Sequence, residues 1–287
     1  MNFFLTRNFY LFIITIFILL LTVSCEPEIV VAKNKITSED DAIIGRTIDK
    51  ALLNHIDTSS GISVLDQQTY PAIYTYINQI SQSINGSNSF LALGVDSQGV
   101  PYNSNYTPTI RVVDQVGNSG AFVLPSGYIY LYKDFLKKIN FEAQFVPILA
   151  HLMACSKNRY GIDKLETRFS ANFLLGLALG GTISTDAGSD ISSILDALEN
   201  DPYSTDIVDI LDIEAEKTVC ELGYDVQTYA DWFIQQSNDN VKWCHQFPRS
   251  LSLENYASHL FYTVKDSLSC NGNIDDGGYP QFKSLLN

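Results

Sequence analysis

Apolar positions recur along this chain at two distinct periods. Ile44, Ile48, Ala51, Leu52 and His55 return every three or four residues and predict an amphipathic helix, with Ser38 and Asp41 reading as a capping box at its start. Ile73, Ile77, Ile80 and Ile84 mark one face of a second helix, and Pro71 suits its first turn. Residues 85–108, rich in Gly, Ser and Asn, read as loop around a short apolar stretch at 90–95. The period then changes to two. Residues 109–113 and 127–132 predict strands, the second carrying Tyr128, Tyr130 and Tyr132 on one face and Ile129 and Leu131 on the other. A further helix is expected from about Phe141, bent or delayed by Pro147. Residues 169–183, apolar and ending at Gly180-Gly181, read as a buried helix or hairpin. Helical patterns follow at about 206–222, with Gly223 as the stop, and at 225–238 and 252–267, before a Gly/Asp-rich loop at 271–280. Helices, then a few strands, then helices predict an α+β fold, helix-rich with a small sheet.

The first residues speak to compartment. Arg7 is the only charge before an apolar run from Phe9 to Val23, which is short for a membrane span of about 20 residues. Together these features predict a secretory signal over residues 1–24. The ending Leu21-Thr22-Val23-Ser24-Cys25 resembles a bacterial lipobox, which implies lipidation at Cys25 and a membrane anchor in the cell envelope. Glu26 follows in place of the Asp that retains enteric lipoproteins at the inner membrane, so the expectation is an outer-membrane lipoprotein facing the periplasm. Residues 25–37 read as a tether, 38–270 as a single domain and 271–287 as a tail.

Removing residues 1–24 leaves 17 basic against 32 acidic residues, a formal charge of −15. That balance argues against nucleic acid or an anionic lipid surface as the main partner. Four cysteines remain beyond Cys25, and in an exported chain they allow two disulfides in three connectivities. Cys244 with Cys270 is the favoured pair, both being near predicted loop boundaries, while Cys155 with Cys220 is the pairing that would take Cys155 out of metal chemistry.

The chemistry centres on His151-Leu152-Met153-Ala154-Cys155, which stands where the flanking sequence calls for H-E-x-x-H. In that motif two His one helical turn apart hold zinc and the Glu activates water. Several flanks carry the comparison. Ile36 to Gly45 resembles a leader helix of the form s-x-E-x-E-x-x-x-G. Gly120-Ala121-Phe122-Val123-Leu124-Pro125-Ser126-Gly127 resembles N-A-F-A-L-P-G-G, with Gly120 for Asn and Ser126 for Gly. Glu142-Ala143-Gln144 and Ile148-Leu149-Ala150-His151 fit E-A-E-L-A-x-V-L-A-H, and Arg159-Tyr160 stands where Arg-His often ends that helix. Asp212-Ile213-Glu214-Ala215-Glu216 aligns with E-x-x-A-D, Leu222-Gly223-Tyr224-Asp225 with a-G-Y-D-P, and Trp243 to Arg249 with a final His-Pro turn. In this order the segments resemble the HtpX/BepA type of gluzincin zinc metallopeptidase over roughly residues 36–250.

The resemblance implies a zincin-like fold whose edge strand borders an active-site cleft. It places His151, Cys155 and Asp212 at the zinc-ligand positions, Glu216 beside them to orient a ligating His, and Tyr128, Tyr130 and Tyr132 on a strand that pairs with extended substrate. The other reading of the tyrosines is ordinary strand packing. Positions 151 and 155 share one helical face, as do 212 and 216. Imidazole, thiolate and carboxylate are all competent zinc donors. Three changes at one site point more to loss of metal than to its redesign, so zinc is the implied cofactor and its absence the favoured reading. His151 is then a core histidine with its ring hydrogen-bonded, Glu216 being the expected partner. Leu152 at the general-base position cannot accept a proton. The expectation is a catalytically inactive, lipid-anchored pseudopeptidase that binds extended or misfolded envelope polypeptides as a chaperone or adaptor. The alternatives are an active zinc peptidase using His151, Cys155 and Asp212, and a structural lipoprotein with Cys155 in a disulfide.

Overall fold

The computed structural model describes residues 36–59, 61–95, 106–117, 120–184, 190–200, 203, 205–237, 270, 272–274 and 278–287. The lipobox with Cys25, the helical pattern at 252–267, the His-Pro turn and Cys244 lie outside these residues. Ile36–Asn287 forms one compact unit, and every residue of the described core falls within it. Among the described residues no helix is long and apolar enough to cross a membrane.

Helix α1 (Ser38–Thr58) begins one residue earlier than the pattern suggests, because Thr37, not Ser38, is the cap: its Oγ1 accepts the Asp40 N–H, and Asp40 Oδ2 accepts the Thr37 N–H, each at 3.2 Å. Asp41 is instead buried against Arg159, at 3.1 Å. The expected stripe of Ile44, Ile48 and Leu52 is buried. Strand β1 (Ile62–Val64) leads to α2 (Pro71–Gly86), which starts on its proline and buries all four isoleucines, and then to the one-turn α3 (Asn88–Leu91). Strands β2 (Thr109–Gln115), β3 (Ala121–Val123) and β4 (Tyr128–Tyr132) follow, with a 3-10 turn at Pro125–Gly127 between the last two. The sheet runs β1-β2-β4-β3, with β2 and β4 parallel and the outer pairs antiparallel. Two of its four strands have only three residues, too few for alternation to reveal them.

Helices complete the α+β architecture: α4 (Lys133–Leu136), α5 (Glu142–Lys157), α6 (Tyr160–Arg168), α7 (Ala171–Ala178), α8 (Asp190–Asn200), α9 (Thr205–Glu221), α10 (Gln227–Ser237) and α11 (Gly278–Leu285). Pro147 neither delays nor ends α5, which is continuous through it with all sixteen residues buried. Packing on every side holds a helix that propensity alone would break. Residues 271–287 are not merely a tail, because Tyr279, Phe282 and Leu286 are buried in the same core. Residue 37 likewise caps α1, and Ile36 is 1% exposed, so the tether ends before them. Cys220, at the end of α9, is joined to Cys270, and Cys155 is free; this corrects the favoured Cys244–Cys270 pairing and removes the Cys155–Cys220 alternative. The short chain distance between 244 and 270 carried no information about which sulfurs meet, and α9 delivers Cys220 to Cys270 with 5.6 Å between Cα atoms.

Candidate functional site

Helix α5 packs on α9 in the most extensive helix–helix contact among the described elements, and that contact brings positions 151 and 212 together. His151 Nδ1 lies 2.9 Å from Asp212 Oδ1, and both residues are buried. The partner of the imidazole is thus Asp212, not Glu216. Glu216, one turn further along α9, is 1% exposed, and neither carboxyl oxygen has a hydrogen-bond partner among the described residues. Burial, reinforced by the charge of Asp212, pushes the Glu216 carboxyl up to about 10, so it is a neutral acid at pH 7.

Cys155, one turn along α5 from His151, turns elsewhere. Its Sγ lies 3.1 Å from Tyr203 Oη, and both residues are buried. Burial pushes the Cys155 thiol up to about 11, against a smaller opposing effect of the Tyr203 hydrogen bond. Lys164 Nζ stands 3.9 Å over the Tyr203 ring and donates to the Leu198 carbonyl at 3.2 Å, which fixes the phenol from behind. Nothing in the sequence around Tyr203 announces this role, since the contact spans 48 residues. Leu152 is 3% exposed and belongs to the core cluster.

His151, Cys155 and Asp212 therefore do not face one common point as zinc ligands would. The imidazole is hydrogen-bonded to the carboxylate that should share the metal, and the thiol is held protonated against a tyrosine. Among the described residues no group of three or more His, Cys, Asp or Glu side chains is placed to hold a metal ion. As these side chains stand, they do not form a ready set of zinc ligands.

The expected substrate strand is corrected as well. β4 is hydrogen-bonded on both sides, to β2 and to β3, so it has no open edge for an extended peptide. Its tyrosines are structural: Tyr130 Oη donates to Asp49 at 2.6 Å and its ring stacks on Phe122, while Tyr132 Oη donates to Glu199 at 2.7 Å. Asp49 also receives Arg111, at 2.6 and 2.7 Å, so strands β2 and β4 are pinned to α1. Tyr128 is half-buried beside Arg111, whose guanidinium lies 6.0 Å from the ring centroid. The strand next to β4 on the far side, β3, is the true sheet edge, and its three side chains are buried.

At the N-terminal end of α5 is a cleft that the sequence did not reveal. It encloses about 680 Å³ between α2 and α11 and is lined by Tyr76, Gln79, Ser83, Glu142, Tyr224 and Phe282, among others. Glu142 is buried and accepts hydrogen bonds from Tyr76 Oη, at 2.6 Å, and from Tyr224 Oη. Tyr76 stacks on Phe282 with ring centroids 4.5 Å apart. Aromatic faces beside a buried carboxylate suit an apolar or cationic side chain. No family model matches this chain, and no curated protein matches it.

Proposed function

We propose that this chain is a lipid-anchored protein of the bacterial cell envelope, held to the outer membrane through Cys25, that binds extended or misfolded polypeptides on a zincin-like scaffold without cutting them. The observation that carries this reading is the closure of the centre upon itself. His151 bonds Asp212, Cys155 bonds Tyr203, and Leu152 is packed in the core, which supports structural rather than catalytic work for the positions that would hold metal and base. Loss of a general base alone costs about 10²–10⁴-fold in rate. The order of elements supports the scaffold: an antiparallel edge strand β3, a strand β4 followed through the one-turn α4 by the helix α5 that bears His151, and α9 packed on α5.

Polypeptide is taken up, on this reading, by the cleft beside Glu142 rather than by the tyrosine strand. Its aromatic and acidic lining accommodates the side chains that an unfolded segment exposes. Work as a chaperone or adaptor in envelope assembly follows. Anisotropy of a labelled, permanently unfolded polypeptide, with gel analysis of the same mixture, tests the reading. Saturable binding, an intact polypeptide with or without added zinc, and weaker binding by Ser83→Trp, which obstructs the cleft from its exposed rim, are expected. Cleavage that a chelator abolishes, or an absence of binding, would overturn it.

A further inference from the structure

A second cavity, of about 500 Å³, lies far along the chain from the His151 centre, between α1 and the turn that follows α7. One wall is a stripe of α1 in which Ile43, Arg46, Thr47, Lys50, Ala51 and Asn54 recur at helical spacing. The other is the turn Gly180–Ile183. That turn exists because α7 ends in a Schellman motif: Gly181 N–H reaches the Gly176 carbonyl at 2.8 Å, and Gly180 N–H reaches Leu177 at 3.1 Å. Gly180 stands at φ +91°, and a Cβ on Gly181 would fall 2.7 Å from the Gly176 oxygen. The two glycines thus stop the helix and fold the chain back over α1.

Charge distinguishes this cavity. In a chain of formal charge −14, its lining among the described residues holds Arg46 and Lys50 and no carboxylate. Both cations are exposed. Immediately beside it, Leu175 and Leu179 are one turn apart on the outer flank of α7, 37% and 88% exposed. The segment read as buried from sequence is therefore partly an outward-facing apolar ridge. Ile36, where the folded unit begins, is held by α6: its N–H donates to Glu166 at 3.2 Å, and its carbonyl accepts from Arg159 at 2.7 Å. Helix α6 runs into α7 through Phe169 and Ser170. Cys25 precedes Ile36 by 11 residues, which span at most about 40 Å.

We propose that the cavity between α1 and the Gly180–Ile183 turn takes the phosphate of an anionic phospholipid headgroup, with Leu175 and Leu179 seated among the acyl chains. Two cations and a hydroxyl-lined cavity match the phosphate, and the adjoining leucines match what lies below it. At physiological ionic strength charges farther than about 8 Å are screened, so the Arg46–Lys50 pair acts locally, with exposed Asp190 at the far end of the turn as the neighbouring opposing charge. Docking here orients the folded unit on the membrane to which Cys25 is proposed to tether it; only that last clause rests on the proposed anchoring.

Vesicle co-sedimentation of the chain beginning at Glu26, which retains the whole described core and lacks Cys25, tests this directly. Phosphatidylglycerol in phosphatidylcholine is compared with phosphatidylcholine alone. Binding to the anionic vesicles is expected, reduced about 30-fold in Arg46→Gln with Lys50→Gln, and about tenfold or more in Leu175→Ser with Leu179→Ser. All four side chains are exposed, so the variants should keep the wild-type unfolding midpoint, which is measured alongside. Wild-type partitioning unchanged by the Arg46/Lys50 exchange, no partitioning at all, or saturable uptake of glycerol phosphate without vesicle binding would each overturn the proposal. None of these outcomes bears on polypeptide binding at the Glu142 cleft, so the two readings fail separately.

Discussion

Across the α5–α9 contact, His151 Nδ1 and Asp212 Oδ1 meet at 2.9 Å with both side chains buried. A buried carboxylate loses heavily when its partner is removed, because the charge remains enclosed. His151→Ala is therefore expected to destabilise the fold by about 3–5 kcal/mol, read from urea unfolding midpoints. A much smaller loss would show that the His151–Asp212 bond contributes little to the fold.

Glu216 makes a prediction about pH. Below about pH 4.5 its carboxyl is protonated in folded and unfolded chains alike. As pH rises the unfolded chain releases the proton near its ordinary value, whereas the folded protein keeps it to about 10, so stability contributed at low pH is lost across that window. Glu216→Gln removes the linkage. The variant should match wild type near pH 4 and exceed it by on the order of 2 kcal/mol at pH 7. Parallel pH profiles for the two proteins would show that Glu216 is charged in the fold.

Gly45 and the 3-10 turn make a third. A Cβ on Gly45 would fall 2.9 Å from the Pro125 carbonyl carbon and closer still to its oxygen, and Gly161 meets the same turn from α6. Gly45→Ala is expected to cost about 3 kcal/mol by forcing backbone apart. Ser126, between them, stands at φ +61°. Ser126→Gly should relieve about 0.5–1 kcal/mol, since a left-handed residue with a Cβ costs more than the freedom Gly gives up. Thermal unfolding of both single variants checks the opposite signs.

The cysteines give a fourth. The Cys220–Cys270 bridge closes a loop of 50 residues, worth about 4 kcal/mol by loop-closure entropy. Cys270→Ser should lower unfolding stability by about that amount. Cys155, fully buried and held protonated, should resist alkylation in the native protein and react only in denaturant. Native labelling of Cys155 would contradict its enclosure against Tyr203.

Much of the domain was legible before any coordinates. The isoleucine stripes of α1 and α2, and the shared faces of 151 with 155 and of 212 with 216, follow from helical periodicity, which is a local property, as does the Gly223 stop from its turn chemistry. Two three-residue strands were too short to leave a period, and Pro147 looked like an obstacle because propensity does not see tertiary packing. The tyrosine alternation identified a strand correctly, while the edge position that the resemblance implied for it is not the one it takes. Alternation specifies faces, but neighbours on either side are chosen by distant segments, and here β3 occupies the edge that β4 seemed to offer.

The same division holds at the centre. Sequence alone determined that Leu152 cannot act as a base, that His151 and Cys155 share a helical face, and that the chain is strongly acidic. These are properties of side-chain chemistry and of 3.6 residues per turn. Only the tertiary structure decided that His151 turns to Asp212 and not to Glu216, that Cys155 turns to Tyr203, that Cys220 meets Cys270, and that two of the chain's few cations line one cavity. Such pairings depend on differences of an ångström or two between helices far apart in sequence, and hydrogen bonds and desolvation change steeply over that distance.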